Sequence, residues 1–188
     1  ITDRRQFHRI SDTKGYSGAY LYDIYSLFCN SCVNNESFED WFALNYPDQA
    51  EFAAIYDDIL REFEETKVQF NYADFNDLLI KMRNELKNGS AICFDEILVD
   101  EYQDTNSLQG SLIDAFNTKS LFCVGDFDQS IYAFNGANIE IIGSFKERYI
   151  GANIYSLNIN DRSSAKILGE PASLVAHKLN DHNSAVAI

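Results

Sequence analysis

Proline is nearly absent from this 188-residue chain, with two in all, and glycine is sparse at nine. No Pro-rich or Gly-rich stretch marks a linker, and no internal repeat or low-complexity segment is present. None of the nine glycines is followed by lysine, so the sequence holds no Gly-x-x-x-x-Gly-Lys-Ser/Thr loop of the kind that cradles phosphates. Uninterrupted apolar runs last only a few residues, far short of the ~20 that a helix needs to cross a bilayer. Three arginines among the first nine residues have no apolar segment behind them, which is not the layout of a secretory signal. A cytoplasmic protein without a membrane span is expected. Cysteine is limited to positions 29, 32, 93 and 123. The single Cys29-x-x-Cys32 lacks the second pair that a structural zinc site usually shows, so reduced thiols in or near a core are expected. Cations are the scarcer charge, 15 Lys plus Arg against 29 Asp plus Glu, for a net charge of −14. Electrostatic wrapping of nucleic acid needs clustered cations, so any DNA contact has to be local.

What is present is an ordinary globular composition, 46% hydrophobic and 23% charged, enough to build a core for one domain or one domain with an accessory lobe. Residues 48–66 carry the clearest helical pattern, with Pro47 before it and Asp48 as the expected N-cap. Phe52, Ile55, Tyr56, Ile59, Leu60 and Phe63 share one apolar face. Asp57, Asp58, Glu62, Glu64 and Glu65 are expected on its wet face. Stretches 18–30 and 37–45, the latter built on Phe38, Trp41 and Phe42, also read as helices. Residues 1–70 thus form an expected helical lobe. A further helix is expected over 74–87, with Phe75, Leu78, Leu79, Met82 and Leu86 on its apolar face and Asn88-Gly89 as a stop. From Ile97 the period changes. Short β-rich runs at 97–99, 121–124 and 153–155 alternate with expected helices at 107–117, 138–148 and 163–179, the pattern of βαβ units and a parallel sheet.

In such sheets ligands bind beyond the carboxyl ends of the strands. Asp100, Glu101 and Asp104 follow the first run, and Gly125-Asp126-Phe127-Asp128-Gln129 follows the second. Like charges gathered at a strand end repel unless a cation offsets them, and Mg²⁺ takes one or two carboxylates while keeping positions for substrate phosphates. Each piece alone would read as a solvated turn; their joint order and spacing point to a nucleotide or metal crevice. The three histidines, 8, 177 and 182, have no metal-ligand spacing and read as surface residues.

Leu98-Val99-Asp100-Glu101-Tyr102-Gln103-Asp104-Thr105-Asn106 resembles the Walker B motif of the UvrD/Rep-like group of superfamily 1 DNA helicases. Residues 124–137, from Val124-Gly125-Asp126 through Gln129-Ser130-Ile131-Tyr132 to Gly136-Ala137, resemble that family's next motif, which couples nucleotide to single-stranded DNA. Asn160-Asp161-Arg162-Ser163 is similar to its Asn-Tyr-Arg-Ser signature, and Ala73-Asp74-Phe75-Asn76-Asp77-Leu78-Leu79 to its Asp-Phe-Asp-Asp-Leu segment. The resemblance implies an α/β fold: part of a RecA-like P-loop NTPase parallel sheet, 71–188, preceded by a helical insertion, 1–70. It also implies ATP and Mg²⁺ as cofactors and DNA, single-stranded or duplex, as partner. Asp100, with Glu101, would hold Mg²⁺, and Glu101 would orient or deprotonate the attacking water. Gln103 and Gln129 would sense the γ-phosphate, Arg162 would stabilise the transferring phosphoryl group, and Tyr132 and Phe134 would lie on the DNA path. The missing phosphate loop makes the chain resemble a middle portion of a longer helicase, itself inactive. Asn135 stands where the family usually has Arg, and Asp161 where it has Tyr. Two other readings compete: a non-catalytic acidic module that binds a partner protein, and a metal-dependent nuclease or phosphatase using Asp100, Glu101, Asp104, Asp126 and Asp128.

Overall fold

A computed structural model describes residues 18–31, 36–89, 92–126, 129, 140–157 and 185–187. The chain divides into two units, the first comprising the residues up to position 90 together with 107–115, the second holding the remainder. The expected helix over 163–179, the histidines and Cys32 lie outside the described residues.

The first unit is helical, with α1 at Gly18–Ser31, α2 at Phe38–Asn45, a 3-10 turn at Pro47–Phe52, α3 at Ala53–Phe70, α4 at Phe75–Lys87 and α5 at Ser107–Ala115. Its core joins Leu21 and Ile24 of α1, Phe38, Trp41 and Phe42 of α2, and Ala53, Tyr56 and Leu60 of α3. Phe42 is fully buried, its ring edge-on to Tyr56 at 5.2 Å. Ser37 starts α2 as expected of a cap, its hydroxyl accepting from the Asp40 amide at 3.1 Å. The helix expected over 48–66 differs in both ends. Pro47 opens a 3-10 turn instead of the α-helix, so Asp48 does not cap it. The helix then runs on to Phe70 and stops at Asn71, whose φ of 55° is left-handed.

Lys67 explains the extension. It is buried, and its ammonium meets Glu64 at 2.6 Å, Asp77 at 2.9 Å and Asp74 at 3.1 Å. Glu64, expected to be solvated, also accepts from the Tyr25 hydroxyl at 2.6 Å. Asp74 and Asp77 form a reciprocal capping box at the start of α4. That box turns the polar side of the first turn inward: Asn76 is buried and donates to Ser26 at 3.0 Å, while Phe75 and Leu78 of the expected apolar face are exposed. Burial opposes the charge on Lys67, but the hydrogen bonds that its ammonium donates to Glu64, Asp77 and Asp74 outweigh it and raise the ammonium above its ordinary value. For Asp77, burial is outweighed by the Asp74 amide and by Lys67, and its carboxyl is held below the ordinary range.

The second unit carries a four-stranded mixed sheet in the order β1-β2-β4-β3, from β1 at Cys93–Val99, β2 at Asn117–Asp126, β3 at Tyr155–Ser156 and β4 at Ala185–Ala187. β1 and β2 are parallel, as the alternation of runs predicts, with Ile97 beside Leu121 and Val99 beside Cys123. β4 pairs antiparallel with both β2 and β3, so the sheet is not wholly parallel; hydrophobic pattern carries no strand direction. β1 and β2 each begin about four residues before the apolar runs that predicted them. Their first halves carry polar side chains that are matched across the pair, Lys119 to Asp95 at 2.6 Å and Ser120 to Glu96 at 3.3 Å. The helix expected over 138–148 is two single turns, α6 at Glu140–Gly143 and α7 at Phe145–Arg148. Cys123 is buried in β2, as expected of a core thiol, and burial pushes it up to about 11, whereas Cys93 at the start of β1 is exposed, contrary to that expectation. Among the described residues no helix is long and apolar enough to cross a membrane.

The Lys67 cluster yields a test with a definite sign. A depressed Asp77 stabilises the fold fully above the ordinary carboxylate range near ~4 and ceases to do so as pH falls through its lowered value. Urea unfolding followed by far-UV circular dichroism should therefore show stability falling on acidification. Lys67→Met should cost about 3 kcal/mol at neutral pH, because it strands three carboxylates, and should weaken or reverse the acid dependence.

Candidate functional site

β1 and β2 run side by side as a parallel pair, and the acidic turn that follows β1 meets the end of β2 at Asp126. β1 stops at Val99 and delivers Asp100 and Glu101 into solvent. The Asp100 carboxylate accepts from the Glu101 amide at 2.9 Å. Glu101 itself sits at φ 50°, ψ 44°, in the left-handed region, a conformation that costs a non-glycine residue ~1–2 kcal/mol and persists where its surroundings impose it.

Those surroundings are the following 3-10 turn, Tyr102–Asp104. Tyr102 is buried, edge-on to Phe145 at 5.5 Å, and its hydroxyl accepts from Arg148 Nη1 at 3.3 Å. The Asp104 and Thr105 amides close the turn onto the Glu101 and Tyr102 carbonyls. Gln103 is only 2% exposed, and its carboxamide reaches two ways. Nε2 donates to Glu101 Oε2 at 2.7 Å, and Oε1 accepts from the backbone amide of Asp126 at 2.9 Å. Asp126 Oδ2 in turn accepts from Gln129 Nε2 at 2.7 Å. A Cβ placed on Gly125 would lie 2.8 Å from Gln103 Oε1 and 3.1 Å from the Gln103 amide nitrogen, so that strand end is glycine because Gln103 passes over it.

Four of the residues singled out from sequence are thus together: Asp100, Glu101, Gln103 and Gln129. Arg162, Tyr132 and Phe134 lie outside the described residues, as do Asp128, Asn135 and Asp161. Sequence reasoning passed over Tyr102, which anchors the turn, and Gly125, whose position within an apolar strand was the available signal of a close backbone approach. Asp104 Oδ1 is buried with no hydrogen-bond partner among the described residues, and burial followed by the charge of Glu101 raises its carboxyl above the ordinary value. Among the described residues, no group of three or more His, Cys, Asp or Glu is arranged to hold a metal. The exposed oxygens of Asp100 and Glu101 suit a hard ion that takes one or two carboxylates and fills its remaining positions from phosphate and water, the habit of Mg²⁺.

Paired parallel strands with acidic carboxyl ends, one carrying Asp-Glu-x-Gln-Asp, place the candidate site in an α/β unit. The chain belongs to the UvrD/REP helicase N-terminal domain family, whose model matches residues 12–150. It is similar to a "Probable DNA helicase II homolog" of Mycoplasma capricolum, with 41% identity over 140 residues, 70% of this chain and 19% of that protein. Similarity extends to DNA helicase II of Rickettsia typhi, 35% identical over 68% of this chain and 21% of the relative. The ATP-dependent DNA helicase Rep of Buchnera aphidicola from Acyrthosiphon pisum is 34% identical over 70% of this chain and 21% of its own length. The chain therefore spans about a fifth of the length of these curated relatives.

Gly125→Ala should destabilise the second unit by about 1–3 kcal/mol, since the new methyl overpacks against Gln103. Alanine at exposed Gly143, which has nothing within 4 Å of its Cβ position, is the control and should cost far less. Chemical denaturation of the two variants distinguishes them.

Proposed function

We propose that this chain is part of the motor of an ATP-dependent DNA helicase, with 1–70 a helical insertion and 71–188 the later half of a first RecA-like ATPase domain. The observation that carries the reading is the hydrogen-bonded junction of two parallel strand ends, Glu101 to Gln103 to Asp126 to Gln129, in a chain of this family. Asp100, with Glu101 beside it, would hold Mg²⁺, which supplies charge neutralisation at the β- and γ-phosphates when bound. Glu101 is the base: exposed, carboxylate-tipped, and hydrogen-bonded at Oε2 by Gln103. Gln129, exposed at the far end of the junction, is the γ-phosphate sensor, and Tyr132 and Phe134, which follow it in the sequence, would contact single-stranded DNA. Arg162 completes the site by stabilising charge on the transferring group. Single-stranded and duplex DNA are the partners, and the cytoplasm the location.

The sequence has no phosphate loop, so the 188 residues alone should hydrolyse no ATP, and their net charge of −14 should keep nucleotide and DNA affinity low. Titration with Mg-ATP and with a labelled single strand tests this; strand-stimulated hydrolysis would overturn it. In a full-length parent, Glu101→Gln should lower steady-state ATPase by roughly 10²- to 10⁴-fold while ATP binding persists, because size and a hydrogen-bonding tip are kept and only the base is lost. Unchanged turnover would remove Glu101 from the role. The acidic charge also suits a non-catalytic module that docks on a basic partner. A native reading frame that supplies no phosphate loop would favour that alternative.

A further inference from the structure

We propose that Gln103 is a positioning residue for Glu101 and not a contact to the nucleotide. This inference rests on Glu101 being the base. The resemblance to known helicases assigns Gln103 to the γ-phosphate, but its surroundings describe a different task. The side chain is only 2% exposed, and both ends of its carboxamide are bonded to protein. The amide of Asp126 fixes Oε1 in place, which directs Nε2 at Glu101 Oε2. Rotating the carboxamide toward a phosphate would break both bonds.

The bracket has a built counterpart in β2. Gly125 leaves the space that Gln103 crosses, with Gln103 Oε1 2.8 Å from where a Cβ would stand and Ile142 Cδ1 3.2 Å away on the same spot. Ile142 is itself buried and cannot easily yield. Glycine at 125 and glutamine at 103 thus form one device, and its output is the orientation of a carboxylate whose backbone is already confined to the left-handed region. Asp126 carries the same device outward, since the residue whose amide holds Gln103 also holds Gln129 through its side chain. A shift of the β2 end would reach Glu101 and Gln129 together.

Two measurements test this. In the 188-residue chain, hydrogen exchange at the Asp126 amide should be slow. It should accelerate tenfold or more in Gln103→Met, which keeps the shape but neither bond, and stay slow in Gln103→Glu, which keeps the accepting oxygen. In the full-length parent, Gln103→Met and Gln103→Glu should each lower kcat tenfold or more with KM for ATP changed less than twofold. Gly125→Ala should reproduce the kcat loss, and the double variant Gln103→Met with Gly125→Ala should be no worse than the more severe single one, because both disable the same contact. The proposal is overturned if Gln103→Met raises KM tenfold at an unchanged kcat, the mark of a nucleotide contact, or if it leaves both constants alone. It is also overturned if exchange at Asp126 is indifferent to Gln103→Met. Glu101→Gln, assayed alongside, separates the two failures: if that variant retains turnover, the base assignment falls and takes the positioning role with it, whereas a silent Gln103→Met beside a dead Glu101→Gln overturns the positioning role alone.

Discussion

β2 continues three residues beyond Cys123, the last position that β1 matches, and there the backbone amide of Asp126 donates to the Gln103 side chain. A side chain thus replaces the rung that the departing strand cannot make. An unpaired amide at a half-buried strand end costs free energy comparable to a lost hydrogen bond, so the turn after β1 is constrained to bring a carbonyl-bearing side chain back over β2. The left-handed Glu101, the buried Tyr102 ring and the glycine at 125 are three ways of meeting that one constraint.

The helical unit is organised by a different economy. With cations outnumbered almost two to one in the whole chain, a single buried lysine serves three carboxylates from α3 and α4, and the rings of Phe63 and Tyr25 lie 5.0 Å and 5.9 Å from its ammonium. The Asp-Phe-Asn-Asp segment does double work there, since its two aspartates cap α4 and bind the lysine at once. Its phenylalanine is left outside: Phe75 is among the most exposed apolar residues described.

Periodicity made most of the elements legible. The α2 helix could be read from Phe38, Trp41 and Phe42, because a tight apolar cluster leaves few alternatives. The parallel pair was readable because β-rich runs bracket a helix. Legibility failed where polar side chains do structural work. Asp95 and Glu96 look like loop residues until Lys119 and Ser120 are found across from them; Glu64 looks solvated until Tyr25 and Lys67 converge on it. Within the candidate site, the strand-end carboxylates and the resemblance to helicase motifs singled out Asp100, Glu101, Gln103 and Gln129, but nothing in one sequence says that Gln103 is buried, since that depends on a backbone amide twenty-three positions later.

The close passage of Gln103 over Gly125 also makes the two positions a single heritable unit. A methyl at 125 is tolerable only if the side chain at 103 shortens or withdraws, and Ile142 Cδ1 crowds the same spot. Variation at either position alone meets a barrier that joint variation could avoid, so a lineage carrying this segment can drift along many of its surface acids freely while these two residues, far apart in the chain, change in concert or stay as they are.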